Sequence, residues 1–252
     1  MKIENVMHIA LTAGEILLGN GAETYRIEET VTKICEAYGF TAECLVMSNG
    51  LWLSVGDGDF NNKITSMKRV GQKHVDLYRI ELINAFSRQL QDEPMSYEAA
   101  KRRLNEIKQA PNFSLSIRTV AACMTGFIYT LFFNGSIMDA TASIVVCFIT
   151  YIMFEKISEF GFFQFLEFYL AGLTIGGASI LAHLMIPAIN SHNVITGAIM
   201  ILIPGVVLTN GIKDVLYGDF ISGVSKFSEA LIVIIAVSAG IGSSLFASMK
   251  GM

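Results

Sequence analysis

Beyond Pro111 the chain carries apolar runs of 18 to 22 residues, and few folds accept them, because a helix of about 20 residues is what crosses roughly 30 Å of hydrocarbon. Five such runs are read, over residues 117–134, 137–154, 165–186, 194–212 and 228–249. Backbone groups in hydrocarbon must be satisfied within the segment, so the runs predict helices. The alternating apolar and polar pattern of barrel strands is not seen. Charge is distributed to match: 28 of the 40 Lys, Arg, Asp and Glu residues lie in the first 112 positions. Only 12 are left for the other 140 residues, which is why the charged fraction is only 16% and the mean hydropathy +0.52. The expected fold class is a membrane protein with a soluble α+β N-terminal domain over residues 1–112. An α-helical bundle of about five transmembrane helices would follow over 113–252.

The front domain reads ααβββαα. Val6, Ile9, Ala10, Ala13, Ile16 and Leu17 recur at helical spacing up to the Gly19-Asn20-Gly21 breaker. A second helix is predicted from Ala22 to Tyr38, with Ile27, Val31, Ile34 and Cys35 on one face and Gly39 as its stop. Residues 40–48 and 51–55 flank Asn49-Gly50, a dipeptide suited to a type I′ hairpin turn. Residues 63–70 supply a third strand. Helical spacing returns over 75–90, and a last helix over 97–109 starts after Ser96 and stops before Pro111.

A net charge of −4, with no basic stripe interleaved with aromatics, sets nucleic acid aside as a partner. The four cysteines show no CxxC spacing, so neither a disulfide framework nor a metal site is indicated. The first residues lack the apolar core and cleavage site of a signal peptide. Lys101, Arg102, Arg103, Lys108, Arg118, Lys156, Lys213 and Lys226 fall on one side of the five runs, and the opposite loops have no basic residue. That asymmetry places the N-terminus in the cytoplasm and the C-terminus outside, in a multi-pass protein of the cell membrane.

The candidate transport-path residues gather around Pro204-Gly205, which falls inside an apolar run and should break its helix. A broken helix exposes half-helix ends at membrane depth, where the positive N-terminal end can hold a carboxylate. Thr209 and Asn210 add uncharged hydrogen-bonding groups, and Lys213 and Asp214 follow on the same segment. A plain packing kink is the competing interpretation. Asp139, Glu167 and His183 are ionisable groups in or beside spans, where such groups line polar paths or sit at interfaces. Of these, Asp139 is the candidate for closing onto a cavity. Gly172-x-x-x-Gly176 and Gly240-x-Gly242-x-Ser244 put small residues on one helix face and favour close packing. In the front domain Glu23 and Arg26 stand together at a helix start, as a surface ion pair or a ligand site. Asp57 and Asp59 form a possible carboxylate pair in a Gly-rich loop, which a solvated turn explains as well.

Three stretches resemble the threonine/serine exporter (ThrE) family: GAETYRIEET at 21–30, NGLWLSV at 49–55, and PGVVLTNGIKDVLYGDFISGVSKFSEA at 204–230. The length and layout are similar to the large subunit of the family's two-subunit type. The resemblance implies export of small amino acids such as threonine and serine, or of a dicarboxylate such as succinate. It implies an ion gradient as driving force, with the proton a candidate coupling ion and no bound cofactor. In single-chain members a second block of membrane helices follows the first. For this chain the resemblance therefore implies a separate small membrane subunit of about 150 residues, in a homo- or hetero-oligomer. The alternatives are a membrane-anchored ligand sensor or hydrolase-like enzyme with its site at Glu23, Arg26 and Asp57, and a scaffold that only assembles with partners. No arrangement of nucleophile, histidine and acid favours a hydrolase.

Overall fold

The computed structural model describes residues 1–58, 63–71 and 74–251. Two compact units result. One is Met1–Pro111 together with Gly205–Ser228; the other is Asn112–Pro204 together with the chain from Glu229 onward.

The first unit opens with α1 (Ile3–Gly19) and α2 (Thr24–Ala37). An antiparallel sheet of β1 (Thr41–Met47), β2 (Gly50–Gly56) and β3 (Lys63–Arg69) follows, then α3 (Leu77–Asp92) and α4 (Tyr97–Lys108). The central strand alternates as a half-covered sheet must: Leu51, Leu53 and Val55 are buried, whereas Trp52 faces out. Its inner face joins Ile9, Ala13, Leu17, Ile27, Val31 and Ile34 in one core. Gly14 allows this approach, since a Cβ there would stand 2.6 Å from Leu51 Cδ1. The helix ends follow local chemistry. Gly39 takes φ +79° after α2, and the bonds from Gly39 N to Glu36 O and from Phe40 N to Cys35 O make a Schellman motif. Ser96 Oγ caps α4 through Ala99 N, and Asp76 caps α3 through the amides of Tyr78 and Arg79. Burial pushes the Cys35 and Cys44 thiols up to about 12, so both behave as small apolar groups.

One local expectation is corrected. The hairpin turn is Ser48-Asn49, not Asn49-Gly50, and neither residue has the positive φ that a type I′ turn needs. Gly50 is already in β2, paired with both Met47 and Arg69. It is glycine because β3 lies close: a Cβ would come within 2.8 Å of the Lys68 carbonyl oxygen.

The same unit contains α9 (Gly205–Leu216) and the first turns of α10 (Phe220–Gly251). These pack through facing glycines, Gly211 lying against Gly223 O and Gly223 against Gly211 O. The stretch 194–212 is broken into two helices at Pro204-Gly205, as that dipeptide predicts. After α8 (Ser191–Ala198) come a 3-10 turn over Ile199–Ile201 and a non-helical stretch up to Pro204, and α9 begins only at Gly205. Pro204 has no N–H to donate and disfavours helical backbone in the residue before it. The last helix starts at Phe220, eight residues before the expected 228, since Lys226 bounds the apolar run but is itself a good helix former, with Asp214 as its buried partner.

The second unit is formed by α5 (Leu115–Phe132), α6 (Ile137–Glu159), α7 (Gln164–Met185), α8 and the rest of α10. Among the described residues four helices, α5, α6, α7 and α10, are long and apolar enough to cross a membrane, and five if α8 and α9 count as one broken span. The interior of this unit combines the small residues Ala122, Gly126, Thr130, Ala140, Ser143, Gly172 and Ser179 with the buried Val146, Ile175, Val233 and Val237. Phe132, Ile137 and Met185, by contrast, are more than 70% exposed. Water would drive those large side chains inward; hydrocarbon does not, and close helix approach through small residues then dominates. A Cβ on Gly240 would collide with Tyr169 O, and one on Gly172 with Val237 O, both backbone atoms that cannot rotate away. Gly240→Val is therefore expected to destabilise the bundle by roughly 2 kcal/mol or more. Thermal melts in detergent test this, with the facing-outward Gly242→Ala, which meets nothing within 4 Å, close to wild type.

Candidate functional site

In the first unit two segments almost 190 residues apart in sequence meet: Gly21–Glu28, where α2 begins, and Asn210–Lys226, across α9, its turn and the start of α10. Contacts run in parallel along both. Asn210 Nδ2 donates to Gly21 O at 2.8 Å, and Lys213 Nζ to Glu23 Oε1 at 2.6 Å. Asp214 accepts from Thr24 N and Oγ1 at 3.2 and 2.9 Å, and Tyr25 stacks on Tyr217 with ring centroids 4.1 Å apart. Gly21, at φ +80°, sets the turn that aims α2 at this surface.

Asp214 is the centre. It is 1% exposed, and its Oδ2 lies 2.6 Å from Lys226 Nζ, itself 8% exposed. Lys226 Nζ also donates to Thr24 Oγ1 at 3.2 Å, so the hydroxyl relays between ammonium and carboxylate. The reason lies in α2, whose own N-cap residue, Glu23, makes no capping bond with its side chain. Instead Glu23 is drawn aside by Lys213 on one oxygen and by Arg26 Nε, 2.9 Å away, on the other. The open amides at the α2 N-terminus, with the positive end of its dipole, receive the Asp214 carboxylate from another helix. A helix N-terminus and an ammonium together hold one carboxylate out of water.

One turn further along α2, Glu28 accepts from Val46 N at 2.9 Å and lies half-buried. Burial raises its carboxyl above the usual range, the Val46 hydrogen bond opposes this, and the negative charges of Asp219 and Asp214 add to the rise.

Of the candidates from sequence, Asn210, Lys213 and Asp214 of the transport-path set come together here with the front-domain pair Glu23 and Arg26. Thr209 is on α9 but exposed, its hydroxyl returned to Gly205 O at 2.8 Å, and Pro204 and Gly205 stand at the helix break. Asp139 joins none of them. It is the third residue of a capping box with Ser136 at the start of α6, and also accepts from Asn190 N and Asn193 Nδ2 at 2.7 and 2.9 Å. The Ser136-x-x-Asp139 spacing is the signal that would have identified that cap. His183 is satisfied by Ile189 O at 2.7 Å. Asp59 lies outside the described residues, so the Asp57–Asp59 pair is not described. Among the described residues no three His, Cys, Asp or Glu side chains gather in a way that could hold a metal. Thr24, Lys226, Tyr25 and Tyr217 are the site residues that sequence reasoning missed. In the sequence Lys226 is legible only as one of the basic residues beside the spans.

Removing one partner of a buried pair strands the other, so Asp214→Asn and Lys226→Met are each expected to cost about 3–5 kcal/mol, and the double variant less than their sum. Denaturant unfolding of the full chain measures this cycle. Glu28 gives a pH effect of known sign. Its folded pKa is raised, so its contribution is complete below the unfolded value and is lost as pH rises through the folded one. Glu28→Gln keeps an acceptor for Val46 N and is expected to raise the melting temperature at neutral pH but not at pH 4.

Comparison with known proteins identifies the family. The family model described as "Putative threonine/serine exporter" (ThrE) matches residues 8–247. "Probable succinate transporter subunit YjjP" of Klebsiella aerogenes is 21% identical over 94% of this chain and 91% of its own length. "Threonine/serine exporter" of Corynebacterium glutamicum is 20% identical over 96% of this chain, which spans about half (51%) of that relative. No solved structure matches. With its match covering both segments of the site and all the apolar helices, the chain is a multi-pass membrane protein that belongs to the threonine/serine exporter family.

Proposed function

We propose that this chain is a subunit of a secondary transporter that exports small amino acids of the threonine and serine kind, or a dicarboxylate such as succinate. It acts with a separate small membrane subunit of about 150 residues, which supplies further spans. The observation that carries the reading is the buried carboxylate site. Two motif segments distant in sequence build a place where the α2 N-terminus and Lys226 hold the Asp214 carboxylate away from water. Both substrate classes carry carboxylates, and the same donors suit a substrate carboxylate when Asp214 swings away. Asn210 and Lys213 stand on the same face of α9, and the break at Pro204 gives that helix a free end. The relative named as a transporter subunit, matched over 91% of its length, supports a partner chain. In this reading the N-terminus lies in the cytoplasm and the C-terminus outside, as the basic residues flanking the spans suggest.

Glu23, named for the alternative enzymatic or sensing site, is held by Lys213 and Arg26 within the same cluster, which supports the transport reading over a separate front-domain site. The test is flux. Vesicles containing this chain and its small partner subunit are loaded with labelled serine, threonine or succinate. Efflux of one of them is expected, with a loss of at least about tenfold in Asp214→Asn and Asn210→Ala, roughly the cost of one broken charged or buried hydrogen bond. Unchanged flux in both, at normal protein levels, overturns the site assignment.

A further inference from the structure

A groove of about 300 Å³ within the first unit is lined by Glu15 and Asn20 at the end of α1, Arg69 at the end of β3, His74, Arg79 in the first turn of α3 and Lys108 in the last turn of α4. All of these lie in Met1–Pro111, and none belongs to the Asp214 site. Their charges do not balance. Lys68, Arg69, Arg79 and Lys108 face only two carboxylates, Glu15 and Asp76. Glu15 is divided between Lys68 at 3.4 Å and Lys108 at 3.8 Å. Asp76 stands 3.3 Å from Arg79 Nη1 with one oxygen, and its other oxygen is taken by the amides of Tyr78 and Arg79. Arg69 is exposed and makes no ion pair among the described residues. This local excess of positive charge stands in a chain whose net charge is −4.

Two lining residues also carry buried polar atoms without a partner. Asn20 is 6% exposed; its Nδ2 donates to Ile16 O at 2.6 Å, but its Oδ1 accepts from nothing. Arg79 donates from Nη2 to Ala110 O at 2.8 Å and lies 3.1 Å from His74 Nε2 with Nη1, yet its Nε is left unpaired. A guanidinium only donates, so His74 accepts here. Such orphaned atoms are uncommon in a folded protein, and each asks what completes it. The carbonyls at the end of α1 do not account for the gathered cations. Gly19 O and Asn20 O already accept from the amides of His74 and Asp76, and Ile16 O and Leu17 O from Asn20 N.

We propose that this groove is a binding site for a phosphate monoester, with Arg69 and Arg79 as its main donors and Lys108 beside them. A phosphate monoester carries a charge of about −1.5 to −2 near neutral pH and three strong acceptor oxygens, which match the excess charge and donors that arrive from β3, α3 and α4. A carboxylate offers one charge and two oxygens in a plane, and is satisfied by a single arginine fork. The recognised group is the same whether a soluble compound or a lipid headgroup bears it. Once bound, it ties β3, α3 and α4 together at the end of α1, just before the Gly21 turn that leads into α2. The site does not depend on which substrate is transported, or on transport.

The full chain in a maltoside detergent is titrated calorimetrically with glycerol phosphate at constant ionic strength, with chloride as the blank and succinate as a dianion without phosphate. Saturable binding of glycerol phosphate is expected. Arg79→Gln disturbs a half-buried side chain, so the deciding variant is Arg69→Gln, whose exposed and unpaired side chain leaves the fold intact, as a melting curve verifies. It is expected to weaken binding roughly tenfold or more, the loss of one charged hydrogen bond. Arg102→Gln, which removes an exposed charge on α4 away from the groove, is expected to bind as wild type. Absence of saturable binding, wild-type affinity in Arg69→Gln, an equal loss in Arg102→Gln, or succinate binding as tightly as glycerol phosphate each overturns the proposal. Repeating the titration in phosphatidylcholine nanodiscs with and without phosphatidic acid separates the two sources. Weaker glycerol phosphate binding in the presence of phosphatidic acid assigns the site to a lipid headgroup and unchanged binding to a soluble phosphate, and both support it.

Discussion

An aspartate carboxylate and a lysine ammonium 2.6 Å apart, both nearly without solvent, hold the first unit together at the point where its two sequence segments meet. Taking both charges out of water is costly, and their attraction offsets this only when the other lone pairs and protons are satisfied. Thr24 does that. Its amide and hydroxyl complete the carboxylate, and its hydroxyl oxygen accepts from the ammonium. The α2 N-terminus thus obtains from α9 the cap that its own Glu23 does not supply, and the α9–α10 hairpin is fixed to the front of the chain.

Other features follow from that arrangement. With Asp214 at the α2 amides, Glu23 is free to bridge Lys213 and Arg26, and Tyr217 falls onto Tyr25. The hairpin can be this tight because Gly211 and Gly223 face each other with no side chain between them. Glu28, one turn along α2, feels both acids of the hairpin, so protonation in this region is coupled through space to the buried pair.

The second unit relies on different physics. Its helices approach through glycine, alanine, serine and threonine around a core that includes Val146, Ile175, Val233 and Val237, while other large apolar side chains such as Phe132 and Met185 stay exposed. Asp139 illustrates the rule for charge in such a setting. Four hydrogen bonds surround it, joining the α6 cap to Asn190 and Asn193 near α8, so a carboxylate in an apolar unit acts as a structural node.

Periodicity and punctuation made much of the architecture legible. The Gly39 stop, the Ser96 cap, the helices of the front domain, the long apolar helices and the break at Pro204 all depend on residues within a turn or two of each other, and such signals survive in a bare sequence. The Ser48-Asn49 turn was misread because Gly50 answers to β3, across the sheet, and not to its neighbours in the chain. The candidates Asn210, Lys213, Asp214, Glu23 and Arg26 were nameable by residue type and place. That they form one cluster, that Thr24 and Lys226 complete it, and that Asp139 belongs elsewhere were decided only by tertiary structure. A hydrogen bond across 190 residues has no local periodicity to betray it, and whether a lysine is a solvated flank or half of a buried pair depends on what the fold brings beside it.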